Sequence, residues 1–141
     1  MAKRVLVVDD EMHLRLYIKA VFETAGYETA MARNGEEGLA KAREFRPDLV
    51  SLDLMMPGEG GIRLFRNLRA DPELGGVPVM VVSAIAGGTF EHALRALRAG
   101  AGGKPWADPE AYVEKPPTPQ SLLDAAARAL GGAEHEAAPA V

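Results

Sequence analysis

Val5-Leu6-Val7-Val8-Asp9-Asp10-Glu11 sets four consecutive apolar residues directly against three carboxylates. The run is valine-rich and does not alternate with polar residues, as expected of a strand covered on both faces. The switch to acid marks where that strand emerges. Leu49–Leu54 and Val77–Val82 read the same way, and Tyr27–Ala32 and Ala111–Glu114 are weaker strand candidates. Between them lie amphipathic stretches. Leu14, Ile18, Val21 and Phe22 share one helical face, with Gly26 where a C′ residue belongs. Asn34 followed by Glu37 suggests a capping box, and the helix it opens must stop before Pro47. Ile62, Leu64, Phe65 and Leu68 mark a third helix, and Phe90, Ala93, Leu94 and Leu97 a fourth that ends at Gly100. Thr118-Pro119 is an N-cap and N1 pair that opens a fifth through Leu123, Ala127 and Leu130. Strands alternating with helices imply an α/β doubly wound parallel sheet of (βα)₅ type, with right-handed crossovers.

Composition narrows the function. A chain of 141 residues supports one core and hardly two. Sixteen basic and 20 acidic residues give a net charge of −4, which disfavours direct nucleic-acid binding and polybasic membrane attachment. The absence of cysteine excludes disulfides, thiolate zinc sites and a thiol nucleophile. No apolar run approaches the ~20 residues of a membrane span. Met-Ala-Lys-Arg leads too quickly into charged sequence for a signal peptide, so a cytoplasmic location is expected. Residues 1–131 are expected to form the domain and 132–141 a short flexible tail, which leaves no room for an attached effector.

In an open parallel sheet, function gathers at the carboxyl ends of the strands. Here those ends carry Asp9 and Asp10, Asp53, Ser83 and Lys115. Crowded carboxylates raise one another's pKa unless a cation neutralises them. Mg²⁺ suits an incomplete oxygen cage that leaves room for water and phosphate oxygens. Asp53 would then act as a nucleophile towards phosphorus, with Lys115 neutralising the transferred group and Ser83 donating to one of its oxygens. Competing phosphate loops fail. Gly58-Glu-Gly-Gly61 and Gly100-Ala-Gly-Gly103 lack the third glycine of a dinucleotide loop, and no Gly-Lys-Ser/Thr follows a strand. His13, His92 and His135 have no ligand spacing and read as surface residues.

Five segments in order resemble the response-regulator receiver domain. They are Val5–Glu11, Asp48–Pro57 with Gly61, Val77–Ala84, Ala99-Gly-Ala101 and Tyr112-Val-Glu-Lys-Pro116. The resemblance covers residues 3–130. It implies a flavodoxin-like fold with strand order 2-1-3-4-5. It also implies phosphotransfer from a sensor histidine kinase or a His phosphotransfer protein. On this resemblance Asp53 matches the phosphoacceptor, Asp10 a direct Mg²⁺ ligand and Asp9 one acting through water, while Met55 lends its backbone carbonyl to the metal. Ser83 matches the switch hydroxyl and Lys115 the lysine, with a cis bond to Pro116. Gly61 would permit the turn after the acceptor loop. Tyr112 matches an aromatic that swings inward on activation, and a tyrosine that merely covers the sheet edge stands beside that reading. Lys104-Pro105 is a decoy for Lys115-Pro116, because glycines rather than a strand precede it.

Two departures stand out. Residues 102–110 enlarge the loop before the last strand and bring the only tryptophan, Trp106. Trp106 reads either as a lid on a tolerated insertion or as a partner contact. Met55 and Ile85, two beyond Asp53 and Ser83, are apolar where the family can place residues that orient a hydrolytic water. Slow autodephosphorylation is expected. The primary reading is a stand-alone phosphorelay switch whose helix 4–strand 5–helix 5 face signals to a separate effector and is a candidate for homodimerisation. A phosphorylation-independent adaptor and a small phosphohydrolase are the alternatives. Met55 stands where the hydrolase would need a second aspartate.

Overall fold

The computed structural model describes residues 2–57, 60–84, 95 and 108–131. In chain order it contains β1 (Arg4–Val8), α1 (Met12–Thr24), β2 (Glu28–Ala32), α2 (Gly35–Phe45) and β3 (Leu49–Leu52). Then come α3 (Gly60–Ala70), β4 (Val79–Ser83), β5 (Ala111–Glu114) and α4 (Pro119–Ala129), the last being the fifth helix expected from sequence. The expected fourth helix, Ile85, Trp106 and residues 132–141 lie outside the described residues. The strands pair in parallel in the order β2-β1-β3-β4-β5, which is the flavodoxin-like order.

Alternation of side chains along each strand divides the core into two layers. Leu6, Val8, Val50, Leu52, Val79 and Val81 face Ala42 of α2 and Leu64, Phe65 and Leu68 of α3. Val5, Val7, Leu49, Met80, Val82 and Val113 face Ile18 and Phe22 of α1 and Leu122, Ala125, Ala126 and Ala129 of α4. Burial of β1, β3 and β4 on both faces is why their sequences show no polar alternation.

Local chemistry sets the helix ends. Glu11 caps α1 by accepting from the backbone N–H groups of His13 and Leu14 at 2.8 and 3.0 Å. Gly26 follows that helix with φ of 98°, a conformation that favours glycine. Asn34 caps α2 through the N–H of Glu37 at 2.8 Å. The reciprocal half of the expected box is displaced, because Glu37 accepts from Arg33 rather than from Asn34. Thr118 and Ser121 form a complete capping box behind Pro119.

The α4 face differs from the expected one. Leu123, Ala127 and Leu130 are only partly covered, while Leu122 and three alanines are buried. Those alanines allow close approach to the sheet, and periodicity weighted by large side chains misplaces the stripe by one residue.

One buried charge fixes the entry to β5. The Arg69 side chain, 4% exposed, reaches from α3 and donates to the carbonyls of Val77 and Asp108 and to Glu110 Oε1, each at 2.9 Å. Its guanidinium lies 4.8 Å from the Phe65 ring centroid. The same Glu110 oxygen accepts the N–H of Val79, a residue with no exposed surface, at 2.8 Å. The end of the enlarged loop is thus built into the fold. Replacing Glu110 by Ala strips Val79 of its acceptor and Arg69 of its carboxylate, and about 2 kcal/mol of stability should be lost in denaturant unfolding. Glu110→Gln keeps the acceptor and should lose clearly less; equal losses would contradict this division.

Candidate functional site

The predicted acids, the serine and the lysine lie at the carboxyl edge of the sheet, whereas Tyr112 lies within β5. Asp9 and Asp10 follow β1, Asp53 follows β3, Ser83 ends β4 and Lys115 follows β5. The period of two keeps Asp9 in step with Val7, Asp53 with Leu49, and Lys115 with Val113, all residues of the α1 and α4 side. Three carboxylates therefore converge: one oxygen each from Asp9, Asp10 and Asp53 lie within 4.8 Å of one another. Asp9 and Asp53 are buried and Asp10 is exposed.

The Lys115 ammonium is the cation that the structure sets between the two buried acids. Nζ stands 3.2 Å from Asp53 Oδ2 and 3.4 Å from Asp9 Oδ2. The Lys115-Pro116 peptide bond is cis. The other oxygens of the buried acids are held by backbone. Asp53 Oδ1 accepts the N–H of Met55, and Asp9 Oδ1 that of Glu11, each at 2.9 Å. The Met55 side chain is 61% exposed. Glu11, adjacent to the acid pair in sequence, spends its carboxylate on the α1 cap instead.

Among the described residues, two buried side-chain polar atoms have no hydrogen-bond partner: Asp9 Oδ2, apart from its ion pair with Lys115, and Ser83 Oγ. Buried polar atoms are ordinarily satisfied. Three carboxylates that bring oxygens within 4.8 Å of one another, one of them with an orphaned oxygen, fit a hard divalent cation such as Mg²⁺.

Burial pushes the Asp9 carboxyl above its ordinary value of 3.8. The neighbouring Asp53 charge pushes the same way, against the Glu11 N–H and Lys115. A raised folded-state pKa means that ionised Asp9 costs stability above that pKa, and the cost fades as pH falls through it and is gone below the ordinary value. Metal-free Asp9→Asn should therefore melt higher than the wild type at neutral pH, with the advantage shrinking in acid. Thermal unfolding across pH checks this, and a lower melting point at neutral pH would contradict it.

Tyr112 is half-buried on the α2 and α3 side of β5, and its Oη donates to the Ser83 carbonyl at 3.3 Å. Gly61 is needed for a reason different from the one expected. It sits inside α3 rather than in a turn, and a Cβ there would lie 2.2 Å from the Asp53 carbonyl oxygen. Arg15, which the sequence reading passed over, donates through Nη1 to the Asp9 backbone carbonyl at 2.7 Å. Trp106 and Ile85 are not among the described residues.

A five-stranded sheet in this order with an acid cluster and a lysine at its carboxyl edge is the arrangement of a signalling receiver. The model of the response regulator receiver domain matches residues 5–127, and the chain belongs to that family of two-component signalling switches. It is 36% identical over 134 residues to the polar-differentiation response regulator DivK of Brucella anthropi, covering 94% of this chain and 100% of DivK. It is 40% identical over 123 residues to the DNA-binding response regulator MtrA of Mycolicibacterium smegmatis, covering 87% of this chain and 48% of MtrA, so it spans about half that relative. The chemotaxis response regulator CheY4 of Vibrio cholerae superposes with a TM-score of 0.76 at 26% identity, covering 92% of this chain and 99% of CheY4. Among the described residues, no helix is long and apolar enough to cross a membrane.

Proposed function

We propose that this receiver, residues 1–131, takes a phosphoryl group on Asp53 from a sensor histidine kinase or His phosphotransfer protein in the cytoplasm, with Mg²⁺ held by Asp9, Asp10, Asp53 and the Met55 backbone carbonyl. The observation that carries this reading is the pairing of a crowded acid cluster with two orphaned buried atoms, Asp9 Oδ2 and Ser83 Oγ. A metal gives the first its partner, and a phosphoryl oxygen gives one to the second.

In the transfer, a carboxylate oxygen of Asp53 attacks phosphorus as the bond to the donor imidazole nitrogen breaks. The released imidazole takes its proton from solvent. Bound Mg²⁺ supplies neutralising charge for the phosphoryl oxygens. The Met55 N–H fixes the plane of the Asp53 carboxylate before attack. Lys115, already 3.2 Å from Asp53, stays beside the new acyl phosphate and offsets its charge. Ser83 turns its hydroxyl towards that group. Tyr112 is bonded to the carbonyl of the same serine, so a shift of Ser83 is passed to the ring. Phosphorylation then biases a pre-existing equilibrium of the face around β5, which a downstream effector or a second copy would read.

Incubation with acetyl phosphate and Mg²⁺, followed by intact-mass analysis, tests the proposal. A stable singly phosphorylated protein is expected. No incorporation would point to a phosphorylation-independent adaptor, and rapid multiple turnover to a phosphohydrolase. The phosphoform should also decay slowly, because the Met55 side chain offers the attacking water no hydrogen bond. Met55→Asn should speed decay by about three- to tenfold, a fraction of what full orientation can contribute. Equal decay rates in the two proteins would remove this explanation.

A further inference from the structure

We infer that Arg15 is a positioning residue for the acid cluster: by holding the Asp9 carbonyl it fixes the loop that carries Asp9 and Asp10 towards the metal. This rests on the Mg²⁺ reading above. The argument begins with where the β1 ladder runs out. The Asp9 N–H still pairs with the Ala32 carbonyl at 3.1 Å, the last rung towards β2. Beyond it, the Arg33 N–H goes to Glu37 Oε1 and Asn34 turns away to cap α2. The Asp9 carbonyl lies just past that last rung, at the end of the sheet. Arg15, in the first turn of α1, returns to it with a charge-assisted contact of 2.7 Å.

Asp9 is thereby held at three points besides its ion pair. Its N–H is on Ala32, its carbonyl on Arg15 and its Oδ1 on the Glu11 N–H. The remaining oxygen, Oδ2, is the orphaned one, 3.4 Å from Lys115 Nζ, and Asp9 is one of the three acids of the cluster. Asp10 leads from Asp9 to the Glu11 cap, so the Arg15 contact ties both acids to α1. Without it, both carboxylates would sample more orientations around the cation, and the ordering cost would fall on metal binding.

The test is Mg²⁺ affinity by titration calorimetry on the full chain, comparing wild type, Arg15→Met, Arg15→Lys and Arg43→Met. The last removes an exposed α2 guanidinium paired with Asp71 and serves as the control. Arg15→Met should raise the Mg²⁺ Kd by about tenfold, the lower end of what loss of an outer partner costs. Arg15→Lys, which can still donate to the carbonyl, should recover part of that loss, and Arg43→Met should match the wild type. The Mg²⁺ concentration giving half-maximal phosphorylation should move by the same factor as Kd. If Arg15→Met binds Mg²⁺ as tightly as the wild type, Arg15 has no positioning role, although the metal reading survives. If the wild type itself binds no Mg²⁺, the metal reading fails and this inference fails with it. Should Arg15→Met prove too unstable to titrate, Arg15→Gln, polar but too short for the carbonyl, carries the same expectation and the same refutation.

Discussion

Asp53→Asn should take up no phosphoryl group from acetyl phosphate under conditions that fully modify the wild type, a loss of at least about a hundredfold in rate. The substitution is nearly isosteric. Its oxygen can still accept the Met55 N–H, while its amide nitrogen faces the Lys115 ammonium in place of the accepting Oδ2. What disappears is the nucleophile, since an amide oxygen carries no ionisable pair to give to phosphorus. The Asp53 charge is one of the groups that push Asp9 upward, so removing it relieves repulsion inside the metal-free cluster. Loss of the Lys115 contact opposes that gain, so without metal the variant should melt close to the wild type. Intact mass and thermal unfolding on the same preparation separate the two effects. Incorporation in Asp53→Asn at more than a few per cent of the wild-type rate would move the acceptor elsewhere. Asp9 would be the nearest candidate, because its Oδ2 shares Lys115 with Asp53.

The parts of this molecule that were legible in its sequence share a physical origin. Strands covered on both faces must be apolar throughout, so Val5–Val8 and Val79–Val82 announce themselves without an alignment. The end of the first is legible because the chain changes abruptly from apolar to charged residues at Asp9. Side-chain periodicity then brings Asp9, Asp53 and Lys115 to one side of the sheet. The illegible parts act across the fold. Arg69 is one basic residue among several on α3, and only the structure shows it buried against Glu110 and two carbonyls. Arg15 is hidden for the same reason, because its partner is a backbone carbonyl, which no residue type announces. The α4 stripe was misplaced because alanine carries little weight in a hydrophobic pattern but permits the closest packing.

Among the described glycines, Gly61 should be the one whose replacement by alanine is most damaging. Glycine inside a helix normally costs about 1 kcal/mol against alanine, so in an open position the change would stabilise α3. Here the added Cβ would stand 2.2 Å from the Asp53 carbonyl oxygen, 2.6 Å from Leu54 Cα and 2.8 Å from the Leu54 carbonyl carbon. All three are backbone atoms, so no side chain can rotate away. Either α3 lifts from the sheet or the segment after Asp53 moves, and each disturbs a site whose geometry is set by the 2.9 Å contact of Met55 with Asp53. A net loss of about 3 kcal/mol is expected in denaturant unfolding, with a fall of about a hundredfold in phosphorylation rate from misplacement alone. Gly38→Ala supplies the contrast. It too is a buried helical glycine, but its added Cβ would meet the Leu64 side chain, with Cδ2 at 2.7 Å and the Val8 methyls no closer than 3.4 Å. A leucine terminus can change rotamer, so that variant should lose no more than about 1 kcal/mol and phosphorylate normally. If the two alanines proved equally mild, the close approach of α3 to the acceptor segment would not be what positions Asp53.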